Sequence, residues 1–203
     1  MDEAAERITR KISREFRHNR LAPFDELNIV KTNKHIKKLY DKVYNIVLSE
    51  FVDIANSVYG EIYDETVDQG FEGERSELDE GWIEEFLADY SPVTKFVFKN
   101  ELDRKRARLF EAIVASKKEK NLSYKTAENL LKKQIKQYAI ELEDRIADKV
   151  FMDLGVKRVV WIAEDDDKTC GVCNALDGQI FDIDKAPPKQ HWHCRCYKLP
   201  VKG

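Results

Sequence analysis

No cysteine precedes Cys170 in this 203-residue chain. No apolar run approaches the ~20 residues that a membrane-spanning helix needs. The first absence excludes a disulfide framework from the bulk of the protein, and the second argues against a transmembrane span. The N-terminus, Met1-Asp2-Glu3-Ala4-Ala5-Glu6, lacks the apolar region of a secretory signal. The chain is therefore expected to be made and kept in a reducing cytosol, where clustered cysteines bind metal rather than pair with each other. A net charge of −3 does not mark a nucleic-acid binder through bulk electrostatics.

What is present is charge and helical periodicity. The hydrophobic share of 42% is enough for a core, and the charged share of 36% suits long solvent-facing helices. Acid and base are segregated. Residues 50–90 carry fourteen acids against one base, Arg75, while residues 91–140 carry thirteen bases against five acids. This arrangement either steers a partner or lets the two segments neutralise each other; we expect neutralisation and solvated helix faces.

Residues 4–21 place Ile8, Ile12 and Phe16 at helical spacing among arginines, which predicts a basic amphipathic helix ended by Pro23. Ile36, Leu39, Tyr40, Val43, Val47, Phe51, Ile54 and Val58 predict a second helix, capped at Thr32 or Asn33 and stopped by Gly60. A short helix and a mobile loop are expected over 61–78, then a short helix capped by Asp79. Ser91-Pro92 reads as the start of a helix carrying Arg104-Lys105-Arg106 and Arg108. Asn121 or Ser123 opens a long final helix with Gly155 as its left-handed C-cap. The period then changes, and strands are expected at 156–163, 179–183 and 194–201. The expected fold is mainly α: a long-helix bundle over 1–155, followed by a small zinc-stabilised antiparallel β subdomain over 156–203.

That tail is near the size below which a metal usually has to supplement packing. It holds Cys170-Gly171-Val172-Cys173 and, after seventeen residues, His191-Trp192-His193-Cys194-Arg195-Cys196. The spacing is that of a structural zinc site, because two short segments can each supply about half of a tetrahedron. Gly171 is expected to tighten the turn between the first two thiols. Candidate ligands are Cys170, Cys173, His191, Cys194 and Cys196, with His193 in reserve. Cys170, Cys173, His191 and Cys196 form the preferred set, and Cys194 competes with Cys196. A redox CxxC would want an α/β unit around it, and a thiolate-saturated zinc is poorly suited to activating water. The tail's eight bases and seven acids argue mildly against a nucleic-acid ribbon.

Further cues are a Leu176-Asp177-Gly178 turn, in which Gly178 can take positive φ and Asp177 can brace the chain, and Arg195, which lies between two cysteines, is expected to point away from the metal, and is expected to pair with one of Asp165–Asp167 rather than with a partner. From Trp161 onward the chain resembles the C-terminal domain of phage head morphogenesis proteins, the minor head protein family similar to protein F of phage Mu. The shared pattern is an aspartate before TCxxC, leucine-aspartate-glycine, a proline-rich loop (here Pro187-Pro188) and HPxCRC, with Trp192 where proline is usual. The resemblance covers roughly the last fifty to seventy-five residues. It implies a virion protein acting in head assembly, near the portal and other capsid proteins. Contact with packaged DNA is also implied, and no reaction is; self-association in the assembled head is expected, and the lack of a long apolar run predicts no membrane partner. The alternative is a zinc-containing DNA-binding protein using Arg7–Arg20 and Arg104–Arg108.

Overall fold

The computed structural model describes residues 2–21, 29–115, 120–164, 166 and 169–202. Pro23, Asp165 and Asp167 lie outside them. The chain is mainly helical, with a small antiparallel sheet near its C-terminus. In order come α1 (Asp2–Leu21), α2 (Ile29–Asp68), α3 (Glu80–Ala88), α4 (Phe98–Ala115) and α5 (Lys120–Asp153), then β1 (Arg158–Ile162), α6 (Gly171–Leu176), β2 (Ile180–Asp182) and β3 (Tyr197–Val201).

The chain forms two compact units, and neither follows a boundary at 155. The first takes residues 1–51, 80–91 and 96–136; the second takes 52–79, 92–95 and 137–203. The sheet thus shares its unit with the C-terminal halves of α2 and α5.

In the first unit the predicted stripes converge. Ile8, Ile12 and Phe16 of α1, Ile36, Leu39 and Val43 of α2, and Leu131 and Ile135 of α5 are all buried. Phe16 meets Tyr40 and Tyr124 edge-on, with ring centroids 6.1 and 6.4 Å apart, the geometry aromatic quadrupoles favour. Arg7 and Lys11, one turn apart on α1, both reach the buried Glu50. Burial alone would raise the Glu50 pKa, but hydrogen bonds from Lys11 and Arg7 outweigh it and hold it below the usual range. Among the described residues, Arg104 and Lys105 pair with Glu101, Arg106 with Asp103 and Lys132 with Glu128. These bases are neutralised within their own helices rather than by the acidic segment.

Two boundaries differ from expectation. Gly60 does not stop α2, which runs on to Asp68. One glycine costs a packed helix only about 1 kcal/mol, and here its missing side chain leaves room for Arg75. A Cβ at Gly60 would stand 2.7 Å from the Arg75 guanidinium, which lies over the Tyr63 ring. Likewise, Ser91-Pro92 does not open α4. Tyr90 and Val97 form an isolated bridge, and Ser91 N donates to Phe96 O at 3.0 Å, so the helix begins at Phe98.

The segment expected to be mobile is tied down inside the second unit. Ser76 N donates to Tyr59 Oη at 3.0 Å, and Tyr59 Oη donates to Asp153 Oδ2 at 2.6 Å. The Asn56 amide pairs both ways with the backbone of Leu78. Gly73 packs so closely on the end of α5 that a Cβ would overlap the Asp153 carbonyl oxygen and come within 2.8 Å of Leu154 Cα. Gly73→Ala is therefore expected to destabilise the protein by roughly 1–3 kcal/mol, as overpacking does. Denaturant titration of the purified variant reads this directly; an unchanged midpoint would show that the segment yields freely.

Helix α5 ends as predicted. Gly155 has φ +66°, Val156 N bonds Phe151 O at 2.9 Å, and Gly155 N bonds Met152 O at 3.1 Å. This Schellman pair satisfies the last carbonyls and turns the chain into β1. The sheet order is β2-β1-β3, antiparallel throughout, with Val159 opposite both Phe181 and Pro200.

Candidate metal centre

Two turns bring the distant thiols together. After β1, the chain returns to the sheet through Leu176-Asp177-Gly178-Gln179. Asp177 has φ −54° and ψ 131°, Gly178 has φ +70°, and Gln179 N bonds Leu176 O at 3.0 Å. This is a type II turn, whose third position requires positive φ. Asp177 Oδ1 accepts from Ala163 N at 2.8 Å, bracing the turn as expected. The second turn is His191-Trp192-His193-Cys194, closed by Cys194 N to His191 O at 3.2 Å, with His193 at φ +58°. It too is of type II, with an unusual residue at the left-handed position.

The first two thiols sit on α6 rather than on a loop. Cys170 is its N-cap, and its Sγ accepts from Cys173 N at 3.4 Å. Backbone donors stabilise a thiolate there, so hydrogen bonding from Cys173 holds the Cys170 pKa below the ordinary value. Gly171 opens the helix at ordinary φ with open space where a Cβ would go, so no tightening by glycine is needed.

All four cysteines are free thiols. Their donors fall into two triplets that share Cys173: Cys170, Cys173 and His191, and Cys173, Cys194 and Cys196, each within 4.8 Å. Cys173 is fully buried, Cys194 and Cys196 nearly so, and Trp161 belongs to the same buried cluster. Cys173 Sγ lies 3.7 Å from Cys194 Sγ and 3.3 Å from His191 Nε2. A disulfide would place two sulfurs at about 2.05 Å, whereas the edge of a tetrahedron with zinc–sulfur bonds of about 2.3 Å is roughly 3.8 Å. His191 Nδ1 stands 3.0 Å from Trp192 O. A carbonyl only accepts, so the proton belongs on Nδ1 and the Nε2 lone pair faces the sulfurs.

Burial, with the surrounding sulfurs of Cys170, Cys196 and Cys194, pushes the Cys173 thiol far up. A buried sulfur among sulfurs ionises only if a cation balances it. The cluster of Cys170, Cys173, Cys194, Cys196 and His191 could hold a metal ion. His193, the reserve ligand, is in neither triplet.

The cluster is latched to its unit by contacts the motifs did not reveal. His193 N donates to the Oε1 of the buried Gln137 at 2.8 Å, and Gln137 Nε2 donates to Glu141 at 3.1 Å. Arg195 points outward and pairs with Asp166, the internal pairing expected. Lys189 Nζ donates to the Cys196 carbonyl. Lys198, with a fully buried side chain, stands 3.2 Å from Asp144 and 2.6 Å from Asp148 on α5, without an aligned hydrogen bond. The sequence held a signal for Lys198. Residues 194–199 alternate buried and exposed, so the period that turns Cys194 and Cys196 inward carries Lys198 inward too. Gln137 gave no such signal.

Gln137→Leu is expected to leave the His193 N–H without its acceptor and to cost roughly 1–3 kcal/mol. It should also quicken metal release to a chelator, read from the chelator's absorbance. Unchanged release would mean that the latch does not support the turn.

No protein-family model, curated protein or solved structure matches this chain.

Proposed function

We propose that the chain is a minor head protein of the phage head morphogenesis type, with its C-terminal segment clamped by one structural zinc ion. The observation that carries this reading is the convergence of CxxC and HxxCxC donors in one buried cluster, next to the Asp177-Gly178 turn. These are the ordered elements of the resemblance. The turn at His191–Cys194 adds support, since proline is common at the second position of a type II turn, where the family has proline and this chain has Trp192. Cys170, Cys173 and His191 would hold the ion, and one of Cys194 and Cys196 would complete it. The ion supplies folding free energy and no reactive water, and the helices supply faces for the portal and neighbouring capsid proteins.

The DNA-binding alternative draws on bases that are partly spoken for: Arg7 and Lys11 on Glu50, Arg104 and Lys105 on Glu101. Two assays separate the readings. Co-purification of the zinc-loaded chain with a portal ring at moderate salt is the expected result. Tight duplex binding with a steep salt dependence, and no portal association, would replace the assembly role with the nucleic-acid one.

A further inference from the structure

We infer that the groove between α4 and α5 in the first unit is a docking site for an amphipathic helix with an acidic flank, supplied by a partner protein. The inference is independent of the metal centre. The groove encloses about 360 Å³. Helix α4 contributes Lys105, Arg108, Leu109 and Ala112, the i, i+3, i+4, i+7 pattern of a single helix face. Helix α5 contributes Leu122, Thr126 and Leu130 on successive turns, with Ser123 and Ala127 beside them.

Leu122 is 58% and Leu130 47% exposed, whereas Leu131 and Ile135 of the same helix are buried. This part of α5 therefore has two apolar faces, one in the core and one open. Small side chains between the leucines let another backbone come close. The two leucines are about 12 Å apart along the axis at 1.5 Å per residue, the span of i, i+4, i+8 anchors on a docked helix.

The charge of the rim selects the partner. Arg108 is exposed and pairs with no acid among the described residues, while Lys105, one turn before it on α4, is already engaged by Glu101 at 2.9 Å. Lys133 continues the Leu122–Leu130 stripe one turn further and is also exposed. A nucleic acid would find phosphate partners at the rim, but a floor that is mostly leucine and alanine, with Ser123 and Thr126 its only hydroxyls. An acid-flanked apolar helix satisfies both.

The test uses the full zinc-loaded chain and fluorescence anisotropy. The probes are two synthetic helical peptides of about 16 residues, each with leucines at i, i+4 and i+8. One carries glutamates on its flanks and the other lysines. The glutamate peptide is expected to bind at least about ten-fold more tightly than the lysine peptide. Arg108→Glu should remove that preference, and Leu122→Gln with Leu130→Gln should abolish binding. Both leucines are exposed, so helicity by circular dichroism should be unchanged in these variants. Equal binding of the two peptides, or no binding of either, would overturn the proposal. So would sedimentation showing a dimer that Leu130→Gln dissolves, because the occupant would then be a second copy of the chain.

Discussion

Cys173→Ser is expected to abolish metal binding and to unfold α6 and the three-stranded sheet. Cys173 belongs to both donor triplets and is the most buried of the sulfurs, so its loss breaks both, and the four donors that remain form no triplet of their own among the described residues. A structural zinc contributes roughly 10–16 kcal/mol of apparent folding free energy in small modules, against a total of about 5–15 kcal/mol for a typical domain. The sheet, with a three-residue β2, cannot make up that difference by packing. Cys170→Ser should be milder, because Cys170 is half-exposed and sits in one triplet only. The contrast is read from zinc per chain by elemental analysis, and from the change in tryptophan emission, since Trp161 shares the buried cluster with three of the sulfurs. Far-UV helicity should fall only modestly, since α1–α5 supply most of it. If Cys173→Ser kept full zinc content, the shared-ligand geometry would be wrong.

The second large effect is expected at Lys198. Its ammonium is wholly buried between Asp144 and Asp148. Breaking a buried ion pair by removing one partner typically costs about 3–5 kcal/mol, because the remaining charge stays desolvated. Lys198→Met should do so at neutral pH. Burial already raises the Asp148 pKa, while the Lys198 charge pulls it down. A carboxyl whose folded pKa exceeds its unfolded value opposes folding increasingly as pH rises through that interval. Without Lys198 the interval widens, so the defect should be largest near pH 7 and shrink in acid, where the carboxyls take up protons. Adding Asp144→Asn and Asp148→Asn to Lys198→Met should recover much of the loss at pH 7. A defect that is flat with pH would mean that packing, not charge, accounts for it.

Much of this was legible from residue order because the signals are local. The stripes of α1, α2 and α5 and the Schellman glycine at 155 are set by neighbours three to five residues away. The Asp177-Gly178 turn and the alternation of Cys194, Cys196 and Lys198 depend on spacing of the same order. What was not legible depends on residues far apart in sequence. Gly60 looks like a stop until Arg75 is seen lying where its side chain would be. Residues 71–79 look mobile until Tyr59, Asn56 and Asp153 are seen holding them. The tail reads as a separate module because its period changes at 156. Gln137, Asp144 and Asp148 give no local sign that they reach it, yet they place it in one unit with α5.

On the function proposed above, one ion joins the CxxC helix to the His191–Cys196 segment. Native mass spectrometry of the gently purified chain tests it most directly. One zinc per polypeptide is expected, lost together with a change in tryptophan emission when the solution is acidified. A metal-free mass with a Cys173–Cys194 disulfide, or with four unbound thiols and an intact Trp161 signal, would contradict it.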